Sequence, residues 1–127
     1  MKLKLTSILL GTTLLVGCTF VREWIPSFYD DNESKAIIDV VTGVSLLDCN
    51  ATTLNEDLKE LDRDTEWLIL YSEAKGSRDV NKTTKLFDET LNGMVAKETV
   101  SPTYCELKKK TLLVQSKEIA KSIMRRF

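Results

Sequence analysis

Apolar side chains recur along most of this chain at the spacing of helix faces. Ala36, Ile37, Val40, Val41, Val44 and Leu47 follow a 3.6-residue period and predict a first helix. Asp30-Asp31-Asn32 supplies N-caps and negative charge at its start, and it ends near Asp48-Cys49-Asn50. Its β-branched residues suit a strand as well, but the length of the pattern favours helix. Leu54, Leu58, Leu61, Thr65 and Leu68 form the 4-3 seam of a second helix. Thr52 or Thr53 caps it, with Glu56 completing a capping box, and Lys75-Gly76-Ser77 ends it. The unbroken apolar run Trp67 to Tyr71 predicts burial on most sides, or packing beneath another segment. A third helix starts at Ser77 or Asp79, carries Val80, Thr84, Phe87, Leu91 and Met94, and stops between Lys97 and Ser101. The fourth follows Pro102, with Thr103 as cap and Glu106 three residues on. Its apolar set is Tyr104, Leu107, Leu112, Leu113, Ile119, Ala120, Ile123 and Phe127, at a less regular spacing. The expected fold is all-α, an up-down four-helix bundle.

The first 18 residues follow a different pattern. Lys2 and Lys4 precede an apolar stretch from Leu5 to Val16. It is too short to span a membrane, which takes ~20 apolar residues. It has the layout of a secretory signal, set apart from fold reasoning. Leu15-Val16-Gly17-Cys18 reads as a lipobox. This segment resembles bacterial lipoprotein precursors, which implies cleavage before Cys18 and a covalent lipid there, with no other cofactor. Two or more acyl chains anchor stably, whereas one alone is marginal. In enteric-type bacteria an Asp after the cysteine favours inner-membrane retention, so Thr19 implies an outer-membrane address. The alternative is an ordinary signal peptide, or an uncleaved anchor, with a chance cysteine.

The expected organisation is a signal peptide over 1–17, an anchor and linker over 18–32, and a helical domain over 33–127. The linker is aromatic rather than flexible and polar. Trp24, Ile25, Phe28 and Tyr29 crowd around Pro26. They form either a patch for the membrane interface or a partner, or a lid folded back on the bundle.

Without residues 1–17 the 127-residue chain leaves 110, enough for one core. Charge is unevenly spread. Thr19 to Cys105 carries 9 basic and 17 acidic residues, whereas Glu106 to Phe127 carries 7 basic and 2 acidic. Such a split either steers two partners or binds the last helix to the others. Lys108, Lys109 and Lys110 have the wrong sign for the start of a helix, so an acidic group is expected to face them. They are also candidates for contact with anionic lipid or glycan.

With Cys18 committed to lipid, Cys49 and Cys105 are an even pair in an oxidising compartment. In an up-down bundle the first helix ends and the fourth begins at the same rim, so the two are expected to form a disulfide. The chain has no histidine, which excludes Ser-His and Cys-His triads and the usual zinc hydrolase site. It has no Gly-rich phosphate loop and no Cys-x-x-Cys. Asp62, Asp64 and Glu66 sit at i,i+2 spacing and do not face one another on a helix. No catalytic residue, metal ligand, small-molecule substrate or nucleic-acid contact is therefore expected.

Three stretches together resemble small lipoproteins of tailed, especially marine, bacteriophages. They are Trp24 to Asn32, Leu70 to Gly76, and Tyr104 to Lys110. The resemblance implies a viral protein placed in the host envelope and brings no catalytic residues. The expected function is non-enzymatic: a lipoprotein on the periplasmic face of the outer membrane that binds another protein, such as a receptor masked against later phages. The outer-membrane half of a spanin is the second reading, although outer spanins are often proline-rich and this chain has two prolines. A structural envelope lipoprotein is the third.

Overall fold

A computed structural model describes residues 29–126. Residues 1–17, expected to be a signal peptide, and Cys18, Trp24, Phe28 and Phe127 lie outside the described residues. Among those residues every regular element is an α-helix and there is no strand. The four helices are α1 (Asp31–Leu46), α2 (Leu54–Lys75), α3 (Arg78–Val95) and α4 (Pro102–Met124). None of them is long and apolar enough to cross a membrane.

Local chemistry sets the boundaries. Asp30 caps α1 by accepting from the backbone N–H groups of Asn32 (2.8 Å) and Glu33 (3.1 Å). Thr53 precedes α2, but its hydroxyl donates to Asp57 (3.1 Å) instead of capping, so the expected capping box does not form. Gly76 ends α2 in the left-handed region (φ 80°), where a glycine carries no Cβ penalty. That tight reversal lets α3 start two residues later. Ser101, not Thr103, caps α4, accepting from the Tyr104 N–H at 3.3 Å. Pro102 therefore lies inside the first turn of α4 rather than before it. Proline fits there because its missing N–H would be unpaired anyway.

The helices pack as a closed ring: α1 on α2, α2 on α3, α3 on α4 and α4 on α1. The backbones of the diagonal pairs, α1 with α3 and α2 with α4, stay apart. Phe87, Leu58, Leu68, Leu91, Met94, Leu112, Ile119, Val40, Val44 and Val80 fill the centre and are fully buried. Burying one such side chain contributes roughly 1.5–3 kcal/mol. Two small hydroxyls inside the core bond to the carbonyls of their own helix, Thr65 to Leu61 at 2.7 Å and Ser116 to Leu113 at 2.9 Å. Gly43 lies close against α2: a Cβ there would meet Leu61 Cδ1 at 3.1 Å, and that side chain would have to give by a few tenths of an ångström.

Three apolar residues depart from expectation. Trp67 and Leu70 are 48% and 67% exposed, against the expectation of burial on most sides; the alternative, packing beneath the aromatic linker, falls on residues outside those described. An unbroken apolar run must turn part of itself outward on a helix packed against only two neighbours. Leu107, assigned to the inner face of α4, is exposed. The inner face starts instead at Cys105, seven residues before Leu112.

Cys49, just beyond α1, and Cys105, in the first turn of α4, form a disulfide with a Cα separation of 5.6 Å. Both are buried. The bridge closes a loop with a sequence separation of 56, and for ~57 residues the chain-entropy estimate of its stabilisation is ~4 kcal/mol. Cys49→Ala should lower unfolding stability by about 2–5 kcal/mol. Denaturant unfolding of the two proteins measures this, and mass spectrometry after alkylation without reduction should find neither Cys49 nor Cys105 modified.

Candidate functional site

The end of the bundle where the chain enters α1 is built around a buried carboxylate. Glu33 stands in the first turn of α1 and is fully buried. Its Oε2 accepts from Lys75 Nζ (2.7 Å), Ser77 Oγ (2.9 Å) and Arg126 Nη1 (3.3 Å). Arg126 is itself almost fully buried, and its Nη2 donates to Asp79 at 2.7 Å. One carboxylate thus gathers the end of α2, the turn into α3 and the residues after α4. Asp30 lies alongside, 3.7 Å from Lys75, and accepts from the Tyr71 hydroxyl at 3.0 Å. The Glu33 N–H, the Tyr71 hydroxyl, the Asn32 N–H and Lys75 together hold the Asp30 carboxyl below its ordinary range, against some desolvation.

Next to this cluster a groove runs between α1 and α2. At the entry end Trp67 and Tyr71 stack, with ring centroids 4.8 Å apart. They line a cavity of about 460 Å³ with Asn32, Lys35, Ala36, Asp39 and Asp64. A second cavity of about 540 Å³ shares Asp39 and Asp64 and continues past Gly43, Asp57 and Glu60 to Leu46. The groove therefore holds Asp39, Asp57, Glu60 and Asp64, with Lys35 as its basic lining residue. Partial burial, then Glu60 and Asp39, pushes the Asp64 carboxyl up, and Arg63 offsets this in part. A similar strain exists between α2 and α3. There burial, Asp62, Glu66 and Glu89 raise Asp88, opposed by the Asn92 amide. Asp62 and Asp64 thus turn to opposite flanks of α2, as their spacing predicts.

The residues singled out in the sequence fall in separate places. Cys49 and Cys105 are joined at the other end of the bundle from Glu33. Tyr29 is 46% exposed at the entry to α1, whereas Trp24 and Phe28 of the same aromatic set lie outside the described residues. Lys108, Lys109 and Lys110 meet no carboxylate within ion-pair distance among the described residues. Lys109 donates to the Leu47 carbonyl instead. Lys108 lies over the Tyr104 ring at 5.7 Å, with Lys97 at 4.5 Å. Lys110 is exposed. The expected acidic partner is replaced by a carbonyl at the C-terminal end of α1 and an aromatic face. Both attract a cation without carrying a full charge.

Glu33 was not singled out in the sequence, although a signal was present. It precedes Ala36, Ile37 and Val40 by three, four and seven residues, which sets it on the buried stripe. Among the described residues no group of three or more histidine, cysteine or acidic side chains is arranged to hold a metal ion. The chain matches no protein family, no curated protein and no solved structure at a significant level.

Glu33→Ala takes away one of the two carboxylates that meet the buried Arg126 guanidinium, with Asp79 remaining, and removes the shared acceptor of Lys75 and Ser77; it should cost about 1–3 kcal/mol in denaturant unfolding. A loss below 1 kcal/mol would mean that the cluster does not hold this end together. Asp64 behaves oppositely. Its folded pKa is raised, so its contribution to stability is complete below the unfolded value of ~3.9 and is lost as pH rises through the folded value. Asp64→Asn should therefore be more stable than the parent at pH 7, with the difference shrinking towards pH 3. Thermal unfolding across that range reads both signs.

Proposed function

We propose that this chain is a lipid-anchored envelope protein that acts by binding another protein rather than by catalysis. Acyl chains on Cys18 hold it at the periplasmic face of the outer membrane. The observation that carries this reading is the partition of its three cysteines. Cys49 and Cys105 pair with each other, as suits an oxidising compartment, and Cys18 directly follows Leu15-Val16-Gly17. We further infer that the four helices run alternately up and down. Glu33 near the start of α1 meets Lys75 at the end of α2 and Arg126 beyond α4. Cys49 beyond α1 meets Cys105 at the start of α4. These contacts support antiparallel neighbours around the ring.

In this arrangement the linker enters at the Glu33 end, beside the exposed rings of Trp67 and Tyr29. A tethered partner-binding domain with its aromatics near the anchor follows. The likeness of Trp24 to Asn32, Leu70 to Gly76 and Tyr104 to Lys110 to small phage lipoproteins supports a viral role, the masking of a host receptor against later phages. Cys18→Ser should abolish incorporation of labelled fatty acid and leave the precursor uncleaved. In a host expressing the gene, adsorption of related phages should fall, and it should recover with the Cys18→Ser variant. Equal labelling of the variant refutes the anchor. Unchanged adsorption with an intact anchor refutes the masking role alone.

A further inference from the structure

The basic and acidic helices do not pack on one another. Helix α2 carries seven carboxylates against three cations, and α4 carries five lysines against two glutamates, with Arg125 and Arg126 following. They stand on a diagonal of the ring, in contact with α1 and α3 instead. The charge division is therefore not consumed inside the fold. Apart from the Arg126 pairs with Glu33 and Asp79, no ion pair joins α4 or the residues after it to another helix among the described residues.

Each sign is left on its own surface. On α4, Leu107, Lys110, Val114, Lys117, Lys121 and Arg125 recur at three- and four-residue steps on the outer face, and all six are exposed. Leu107 and Val114 are each 63% exposed. Lys121 pairs with Glu118 on its own helix at 2.6 Å. Lys110 and Lys117 have no carboxylate within ion-pair distance among the described residues. The groove between α1 and α2 is the counterpart. Asp39, Asp57, Glu60 and Asp64 line it between the apolar ends Leu46 and Trp67. None of the four has a cation within ion-pair distance among the described residues. The lengths agree. Lys110 to Arg125 spans ~22 Å of helix, and Asn32 to Leu46 along the groove spans ~21 Å, at ~1.5 Å per residue.

We propose that the outer face of α4 docks in the α1/α2 groove of a second copy of this chain. Lysines and Arg125 then neutralise carboxylates that otherwise repel one another, and Leu107 and Val114 cover part of the exposed apolar rim. The contact is heterologous. The groove lies between α1 and α2, and α4 is diagonal to α2, so one copy's groove and basic face look in different directions. Two copies cannot satisfy both contacts at once, and each contact leaves a groove and a basic face free for the next copy. This inference stands on the described helices and does not depend on the lipid or on a viral partner.

The test uses the full chain, isolated from cells in mild detergent, in two preparations, one of them fully labelled with nitrogen-15. They are mixed at low salt and treated with a carbodiimide, which joins lysine to carboxylate only in direct contact. Mixed-isotope peptides linking Lys110 or Lys117 to Asp39, Glu60 or Asp64 are expected. Their yield should fall at least tenfold in 0.5 M salt, where the Debye length is a few ångström. The double variants Asp39→Lys with Asp64→Lys, and Lys110→Glu with Lys117→Glu, should each fail to self-associate, as read by labelled-pair energy transfer. Mixing the two variants should restore association, since each then offers what the other lacks. Variants that merely misfold cannot recover on mixing. If a double variant loses helical circular dichroism, Asp39→Asn with Asp64→Asn replaces the first, and Lys110→Gln with Lys117→Gln the second. Each neutralised pair should then lower the energy transfer on its own. A protein that gives no mixed-isotope links, links through other faces, or variants that associate like the parent would overturn the proposal.

Discussion

A carboxylate without solvent has to be answered by charge, and Glu33 imposes that demand at the mouth of the bundle. Burying an ion costs several kcal/mol unless it is paired and hydrogen-bonded. Lys75 and Ser77, either side of the α2–α3 turn, and Arg126, after α4, meet the cost from two parts of the chain far from Glu33 in sequence. Hydrophobic seams alone allow helices to slide by a turn at modest loss. Three donors converging on one oxygen do not. The register of α1 against the ends of α2 and α4 is therefore fixed at this point, and the core residues beneath it fall into place with it. The Ser77 hydroxyl illustrates the priority: it leaves its own helix uncapped and serves Glu33 instead.

The two ends of the bundle use opposite chemistry for the same purpose. At the Glu33 end the tie is ionic and reversible. At the other end it is covalent, between Cys49 and Cys105, and Lys109 adds a hydrogen bond to the Leu47 carbonyl beside it. Helix α1 is pinned at both ends, and α4 shares both pins. The acidic groove on the α2 side of α1 has no such tie among the described residues. There burial, Glu60 and Asp39 raise the Asp64 carboxyl, so Asp64 works against the fold where the two pins support it.

Much of this architecture was legible in the residues. The seams of α2 and α3 could be read because each helix buries one stripe with an unbroken 4-3 rhythm, and Leu54 to Leu68 and Val80 to Met94 are buried as that rhythm predicts. The cysteine pair was legible because topology and count agreed. Helix ends were less so. Thr53 and Thr103 have capping chemistry, but a hydroxyl caps only if the preceding backbone aims it inward, and in both cases another geometry won. Pro102 looked like a boundary when it is also the preferred first residue of a helix. The basic start of α4 misled because its partners are a carbonyl and a ring, which no charge count reveals. Glu33 was hidden by its own position: an acid in a first turn has an ordinary explanation. The converging Lys75 and Arg126 are 42 and 93 residues away.

The placement of the two pins also decides how the molecule answers mechanical force. Tension applied through the chain before Asp30 first meets the ionic cluster around Glu33, whose contacts break one after another. Helix α1 can then unravel, but only as far as Cys49, where the bridge to α4 stops it. Sixteen helical residues are ~24 Å long and at most ~56 Å when extended. The domain can therefore yield roughly 30 Å under load. Helices α2 and α3, inside the loop closed by the bridge, are spared direct tension, since the pull passes through sulfur to the start of α4. Force would have to shear that helix from its neighbours before the core could open. The reversible tie sets the force at which the molecule begins to lengthen, and the covalent one sets the length at which it stops.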